Sequence, residues 1–174
     1  MIITGLGLLF SNCINYGNIT TEGEASGISN DADKCINCVN YGDITTEGRA
    51  AAGITTCCSI AAEVFNCYNV GDIEAIALAE GIGAQGGTIK NCYNLGIITT
   101  KGSSAAGSGT QDPISTGGTK TNCYALTGTE TAEEKQTLLN SLNTNREDTT
   151  TWSEWKIDSR LNNGYPVFSF ENVE

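Results

Sequence analysis

Asn37-Cys38-Val39-Asn40-Tyr41-Gly42-Asp43-Ile44 decides the fold, because the chain writes the same phrase repeatedly. It stands earlier as Asn12-Cys13-Ile14-Asn15-Tyr16-Gly17-Asn18-Ile19 and later as Asn66-Cys67-Tyr68-Asn69-Val70-Gly71-Asp72-Ile73. A fourth copy is Asn91-Cys92-Tyr93-Asn94-Leu95-Gly96-Ile97-Ile98, and a fifth opens as Asn122-Cys123-Tyr124 before Ala125 replaces the second Asn. Each copy is followed by an Ala-x-Gly landmark, at Ala25 and Gly27, Ala51 and Gly53, Ala79 and Gly81, and Ala105 and Gly107. From Cys to that Gly the distance is 14, 15, 14 and 15 residues, while the return to the next Cys takes 11, 14, 11 and 16. The variable returns, Ile54–Asn66 and Ser108–Asn122, therefore predict insertions at one tolerant corner of a coil.

A coil of strands suits the residues better than a pair of helices. Apolar positions lie among Asn, Gly and Thr without a helical stripe, and β-branched runs such as Ile19-Thr20-Thr21, Ile44-Thr45-Thr46 and Ile97-Ile98-Thr99-Thr100 recur. About 25 residues close one turn of a solenoid of short strands, which places like residues roughly 4.8 Å apart. The expected interior columns are Cys13, Cys38, Cys67, Cys92 and Cys123, reduced, and Ile19, Ile44, Ile73 and Ile98. Asn12, Asn37, Asn66, Asn91 and Asn122 are expected to form an amide ladder. Gly17, Gly42, Gly71 and Gly96 are expected to supply a corner with positive φ.

The repeat ends near residue 125. Thr131-Ala132-Glu133-Glu134 is a capping-box signature, and with Leu138, Leu139 and Leu142 it predicts a helix over Ala132–Asn143. Trp152, Trp155 and Ile157 follow, then a turn at Asn162-Asn163-Gly164 and a strand through Tyr165-Pro166-Val167-Phe168. The reading is all-β: a parallel β-helix of about five coils over residues 1–125, and a small α+β cap over 126–174 that lids the open end.

At this point the repeats resemble a known family. Asn-Cys-Tyr-Asn-x-Gly-x-Ile alternating with Gly5-Leu6, Gly27-Ile28, Gly53-Ile54 and Gly81-Ile82-Gly83 is similar to GLUG-motif repeats, as is the stretch from Trp155 to Pro166 that closes the array. The full Gly-Leu-x-Gly core is degenerate in most copies, and Gly107-Ser108 lacks the aliphatic residue. GLUG repeats occur in large secreted and surface proteins of bacteria, including immunoglobulin-A protease stalks and haemagglutinin-like adhesins. The resemblance implies an extracellular or cell-surface setting and supplies no catalytic residues.

Composition narrows the chemistry. The 174 residues carry 20 acidic and 9 basic side chains, a net charge of −11, and no His. Such a chain repels phosphate backbones and anionic membranes, so nucleic acid is not an expected partner. The commonest general base and metal ligand is missing. No stretch is long enough to span a membrane, and Met1–Phe10, apolar but short and without a basic start, reads as the second half of an earlier repeat. The expected partners are a host or cell-wall glycan or protein, and a continuation of the array ahead of Met1.

Four constellations could carry more specific chemistry. Cys35-x-x-Cys38 with Cys57-Cys58 has four thiols for zinc, but the second pair is adjacent and Cys38 already belongs to the column. Asn18, Asp43 and Asp72 could face calcium, with too few carboxylates per rung for its coordination. Thr20-Thr21, Thr45-Thr46 and Thr99-Thr100 could order water as an ice-binding array, which Glu74-Ala75 interrupts. Glu22, Glu24, Glu47 and Glu74 cluster near a corner, with Arg49 the single Arg of the coils; a polysaccharide lyase or glycosidase would need paired carboxylates or a base beside a cation. No cofactor, metal or catalytic residue is expected. The leading expectation is a non-catalytic extracellular stalk or adhesive scaffold; a fragment of a carbohydrate-active β-helix enzyme is the alternative.

Overall fold

A computed structural model describes residues 7–57, 59–102 and 109–172. The first coil runs through β1 (Leu9–Ser11), β2 (Ile14–Asn15), β3 (Ile19–Thr21) and β4 (Ala25–Ser26). The second is β5 (Lys34–Ile36), β6 (Val39–Asn40), β7 (Ile44–Thr46) and β8 (Ala50–Ala52). The third is β9 (Glu63–Phe65), β10 (Tyr68–Asn69), β11 (Ile73–Ala75) and β12 (Leu78–Glu80). The fourth is β13 (Thr88–Lys90), β14 (Tyr93–Asn94), β15 (Ile98–Thr100) and β16 (Thr110–Asp112), after which β17 (Thr119–Thr121) and β18 (Tyr124–Ala125) begin a fifth and stop. Equivalent strands stack in parallel into four sheets, two of five strands and two of four. The chain is a β-solenoid of about four turns, so the fifth motif starts a coil that is never closed.

Register follows the repeat. Ile19, Ile44, Ile73 and Ile98 are partners in successive coils, and the last three are buried. Cys38, Cys67 and Cys92 are fully buried, with Cys13 and Cys123 half-buried at the two ends of their cluster. Each thiol donates to the carbonyl two residues before it: Cys38 to Ile36 at 3.3 Å, Cys67 to Phe65 at 3.1 Å, Cys92 to Lys90 at 3.2 Å. Each sulfur also accepts from the preceding coil, Cys38 N–H meeting Cys67 Sγ and Cys67 N–H meeting Cys92 Sγ, both at 3.3 Å. The column is thus a hydrogen-bonding element as well as a filler. Burial first, then the neighbouring thiols, pushes the Cys67 thiol well above its ordinary pKa and keeps it protonated.

This pairing changes what a substitution should do. A Ser at 67 would find both partners of the thiol in place, the Phe65 carbonyl and the Cys38 N–H. We expect Cys67→Ser to cost about 1 kcal/mol, through longer bonds around the smaller oxygen. Cys67→Val leaves the Cys38 N–H without an acceptor and should cost about 1–3 kcal/mol. Chemical denaturation of the two variants side by side checks the order; equal costs would mean that the sulfur only packs.

The corner between the first and second strand of each coil is made by Asn. Asn12, Asn37, Asn66, Asn91 and Asn122 adopt φ of 56, 54, 53, 55 and 53°. Gly17, Gly42, Gly71 and Gly96, expected to supply positive φ, do not occupy that region. Gly42, Gly71 and Gly96 are required for close approach instead. A Cβ on Gly42, Gly71 or Gly96 would fall onto the carbonyl oxygen of the glycine one coil earlier. Asn is the side-chain-bearing residue that best tolerates the left-handed region, so the turn needs no Gly.

The Gly of the Ala-x-Gly landmark has a related task. A Cβ on Gly27, Gly53 or Gly81 would stand 2.6 Å or less from the amide carbon of Asn40, Asn69 or Asn94 across the bore. These second motif asparagines form an inner ladder, each Nδ2 donating at 2.7 Å to the next: Asn15 to Asn40, Asn40 to Asn69, Asn69 to Asn94. In the fourth coil this pairing ends. Ala79 aligns with Gln111, and the atom facing Gly81 is the carbonyl of Pro113. Ala105 and Gly107, the expected fourth landmark, lie outside the described residues, and the register assigns their place to Gln111 and Pro113. The second insertion therefore precedes β16, between Thr100 and Thr110, instead of following it. The insertion after Ile54 lies in the return, so the two do not share a corner.

The tail corrects a second expectation. Its helix α1 (Ala132–Thr144) begins at the predicted capping box, with Thr131 as N-cap. Beyond it, β19 (Trp155–Lys156) pairs antiparallel with β20 (Val167–Phe168) after a 3₁₀ turn at Asn162–Gly164. These elements lie along the flank of the solenoid, not over its end. Trp155, Phe168, Leu138 and Leu142 pack with Val39, Tyr68 and Tyr93 from three coils. The remaining valences of the outer Asn ladder hold the tail: Asn37 donates to Thr151 O (2.8 Å), Asn66 to Ser153 O (3.0 Å) and Asn91 to Leu142 O (3.0 Å). Trp155 Nε1 donates to Asn66 Oδ1 at 2.7 Å. The buried Glu171 carboxylate closes the strap, accepting from Tyr68 OH at 2.7 Å, Tyr41 OH at 2.8 Å and Phe168 N–H at 2.7 Å.

Candidate functional site

The outward face of β3, β7, β11 and β15 carries a row of exposed polar groups from different coils. Asn18, Asp43 and Asp72 stack at its edge because each occupies the same motif position. One oxygen of each accepts the N–H of the next coil: Asp43 N–H to Asn18 Oδ1 (2.9 Å), Asp72 N–H to Asp43 Oδ1 (2.9 Å) and Ile97 N–H to Asp72 Oδ1 (2.8 Å). The side chains are thereby fixed without being buried, one strand spacing apart.

Beside this row, Thr20, Thr45, Glu74 and Thr99 are partners in register. Asp43, Thr45, Asp72, Glu74, Ile97 and Thr99 line a groove of about 280 Å³. Ile97, 68% exposed, gives it an apolar flank. At its far side Lys101 bridges Glu47 (2.6 Å) and Glu74 (3.0 Å), and hydrogen bonds to these two carboxylates raise its pKa. The face presents acceptors and hydroxyls at a strand repeat, with one cation held by two anions. That suits hydrogen bonding to neutral polyols or to cationic groups and repels anions.

Only the first Thr of each pair belongs to this face. Thr46 points inward and donates to Thr21 O at 3.1 Å, while Gly48 N–H donates to its hydroxyl. With Glu74 in the row, a flat Thr array for ordering water is absent. Glu22 and Glu24 lie exposed near the first coil, and Glu47 and Glu74 meet through Lys101.

Among the described residues no group of three or more His, Cys, Asp or Glu is placed to hold a metal ion. Cys35 is buried in the core with Cys38, and Cys57 directs its thiol at Asp31 Oδ1, 3.8 Å away. Cys58 lies outside the described residues. We expect chelator treatment to leave the far-UV circular dichroism and the thermal midpoint unchanged; loss of structure with release of stoichiometric zinc would assign Cys35, Cys38, Cys57 and Cys58 to a metal site.

A carboxylate pair that the motif does not reveal stands at Glu80 and Asp112, in-register neighbours with Lys120 Nζ 3.2 Å from Asp112. Glu80 is 1% exposed. One of its oxygens accepts from Thr116 N–H and Oγ1, both at 2.6 Å, and from Ser115 Oγ at 3.2 Å. Asp112 Oδ1 accepts from the N–H groups of Ile114 and Ser115. The pair ties the third coil to the turn of the fourth, and Glu80 is closed off from solvent. A buried Glu beside small residues is visible in a sequence only once the register is known.

No protein family, curated protein or solved structure matches the chain.

Proposed function

We propose that this chain is a non-catalytic repeat module of the extracellular surface, serving as a stalk or an adhesive scaffold. The observation that carries the reading is how the polar groups are used. The two Asn ladders, the thiol column, Glu80, Asp112 and Glu171 all serve coil-to-coil or strap contacts. What faces outward at strand spacing is the row of Thr45, Glu74 and Thr99 beside Asp43 and Asp72. Interior polar groups committed to coil-to-coil contacts, with an outer row repeated at strand spacing, suit a rod that displays side chains at fixed intervals. The resemblance of the motif to GLUG repeats of secreted and surface proteins points the same way. An acidic face with hydroxyls fits a glycan or a basic protein surface as partner.

Incubation with a panel of glycans and uronates, followed by product analysis, tests the proposal. No turnover is expected. Turnover abolished by Glu74→Gln would replace this reading with that of a carbohydrate-active β-helix enzyme.

A further inference from the structure

The two ends of the stack are chemically different. At the fourth coil the repeat chemistry runs out. Ala125 stands where the inner ladder needs Asn, and Thr127 stands where the next close-approach Gly would be. Asn91 Oδ1 is buried with no hydrogen-bond partner, so the outer ladder also stops there. The last strand of the first sheet, Thr119-Lys120-Thr121, is exposed throughout and carries a Lys, a usual device against edge pairing.

The first coil keeps every repeat residue, including those for which the described structure supplies no reason. Gly42, Gly71 and Gly96 are glycine because a carbonyl of the previous coil occupies the Cβ position. At Gly17 the nearest described atom to such a Cβ is Asn15 Oδ1, 3.7 Å away, an ordinary contact. Gly48 likewise is crowded by the carbonyl of Gly23, whereas a Cβ on Gly23 meets only Thr21 Oγ1 at 3.9 Å. Asn40, Asn69 and Asn94 each accept an amide from the coil before at 2.7 Å. Asn15 Oδ1 accepts the N–H of its own Gly17 at 3.2 Å. Asn37, Asn66 and Asn91 donate backward along the outer ladder, and among the described residues the Asn12 amide donates to nothing. Among the described residues, the strands β1 to β4 each have a paired neighbour on one side only.

We propose that the edge formed by β1, β2 and β3 is a docking surface for one further coil of this same Asn-Cys-x-Asn-x-Gly repeat, stacked in parallel register ahead of the first. Such a coil offers what the edge lacks: a glycine carbonyl for the space over Gly17, an amide N–H for Asn15 Oδ1, and an amide oxygen for Asn12 Nδ2. It continues the interface already formed between successive coils. The far edge of a second copy fits poorly, because Ala125 and Thr127 remove the matching amide and glycine.

Insertion of a copy of Lys34–Ala62 between Leu8 and Leu9 of the full chain tests this, since it places a complete coil ahead of β1. The thermal midpoint should rise by about 4 °C or more, and hydrogen exchange of the first-coil amides should slow. Gly17→Ala should leave the midpoint of the parent chain unchanged and abolish the gain in the extended chain. An extended chain with an unchanged or lower midpoint overturns the proposal. So does a gain that survives Gly17→Ala, or a Gly17→Ala cost that is equal in both chains.

Discussion

Replacing Gly71 by Ala should unfold the solenoid or bring it to the edge of unfolding. The new methyl would stand 2.0 Å from the carbonyl oxygen of Gly42 and 3.0 Å from the Asp43 nitrogen. Both are backbone atoms, so no rotamer change relieves the clash. The third coil would have to lift from the second, stretching the Val70 N–H bond to Asn40 O and the Ile44 N–H bond to Asp72 O, both 2.8 Å. Overpacking against fixed atoms costs about 1–3 kcal/mol, and lost ladder bonds bring the total to about 4 kcal/mol. Against a typical stability of about 5–15 kcal/mol that is a large fraction. Urea denaturation measures it, and a loss under about 1 kcal/mol would mean that the coils are not held at this spacing.

Asn69→Asp should be nearly as damaging although it changes no volume. Asn69 Nδ2 donates to Gly71 O and to Asn94 Oδ1, both at 2.7 Å, and Oδ1 accepts from Asn40 at 2.7 Å. A carboxylate keeps the accepting role and turns both donations into contacts between acceptors. The site is fully buried. We expect a loss of about 3 kcal/mol at neutral pH. The sign of the pH dependence follows from burial, which raises the carboxyl's folded pKa above its unfolded value of about 3.9. The introduced group then weakens the fold increasingly as pH rises from the unfolded to the folded pKa, so the variant should recover on acidification while the parent does not. A variant whose deficit stays constant from pH 7 to pH 4 would contradict this account. Asn69→Ala, which leaves Gly71 O and Asn94 Oδ1 without their donor but adds no charge, should show no such recovery.

The stack itself was legible in the sequence because register in a solenoid is a one-dimensional property. Recurrence of Cys13, Cys38, Cys67, Cys92 and Cys123 fixes which residues face each other before any angle is known. The start of α1 was legible for a local reason, since the Thr131 and Glu134 side chains cap each other's backbone. Three things were not legible. The motif glycine serves distance and not conformation, and spacing alone cannot separate the two. Ala105 and Gly107 imitate the Ala-x-Gly landmark, but the strand that continues the sheet is Thr110–Asp112, chosen by pairing with Leu78–Glu80. Open edges call for cover and so point the tail to an end, whereas the spare valences of Asn37, Asn66 and Asn91 lie along the side and draw Thr151, Ser153 and Leu142 there. The outward face was half visible: Asn18, Asp43 and Asp72 were named from their shared position, and Lys101, which lies outside the motif, was not.

The two amide ladders run in opposite senses. In the outer one each Asn donates toward the start of the chain, from Asn37 to Asn12 and from Asn66 to Asn37. In the inner one each donates toward the end, from Asn15 to Asn40 and from Asn40 to Asn69. Amides aligned head to tail add their dipoles and polarise one another, as peptide groups do in a helix. Either ladder alone would build an electric moment that grows with each coil and concentrates partial charge at the ends. Side by side and reversed, the two oppose each other rung by rung. Lengthening the rod therefore adds cohesion while its amide moments offset one another, however many coils are stacked.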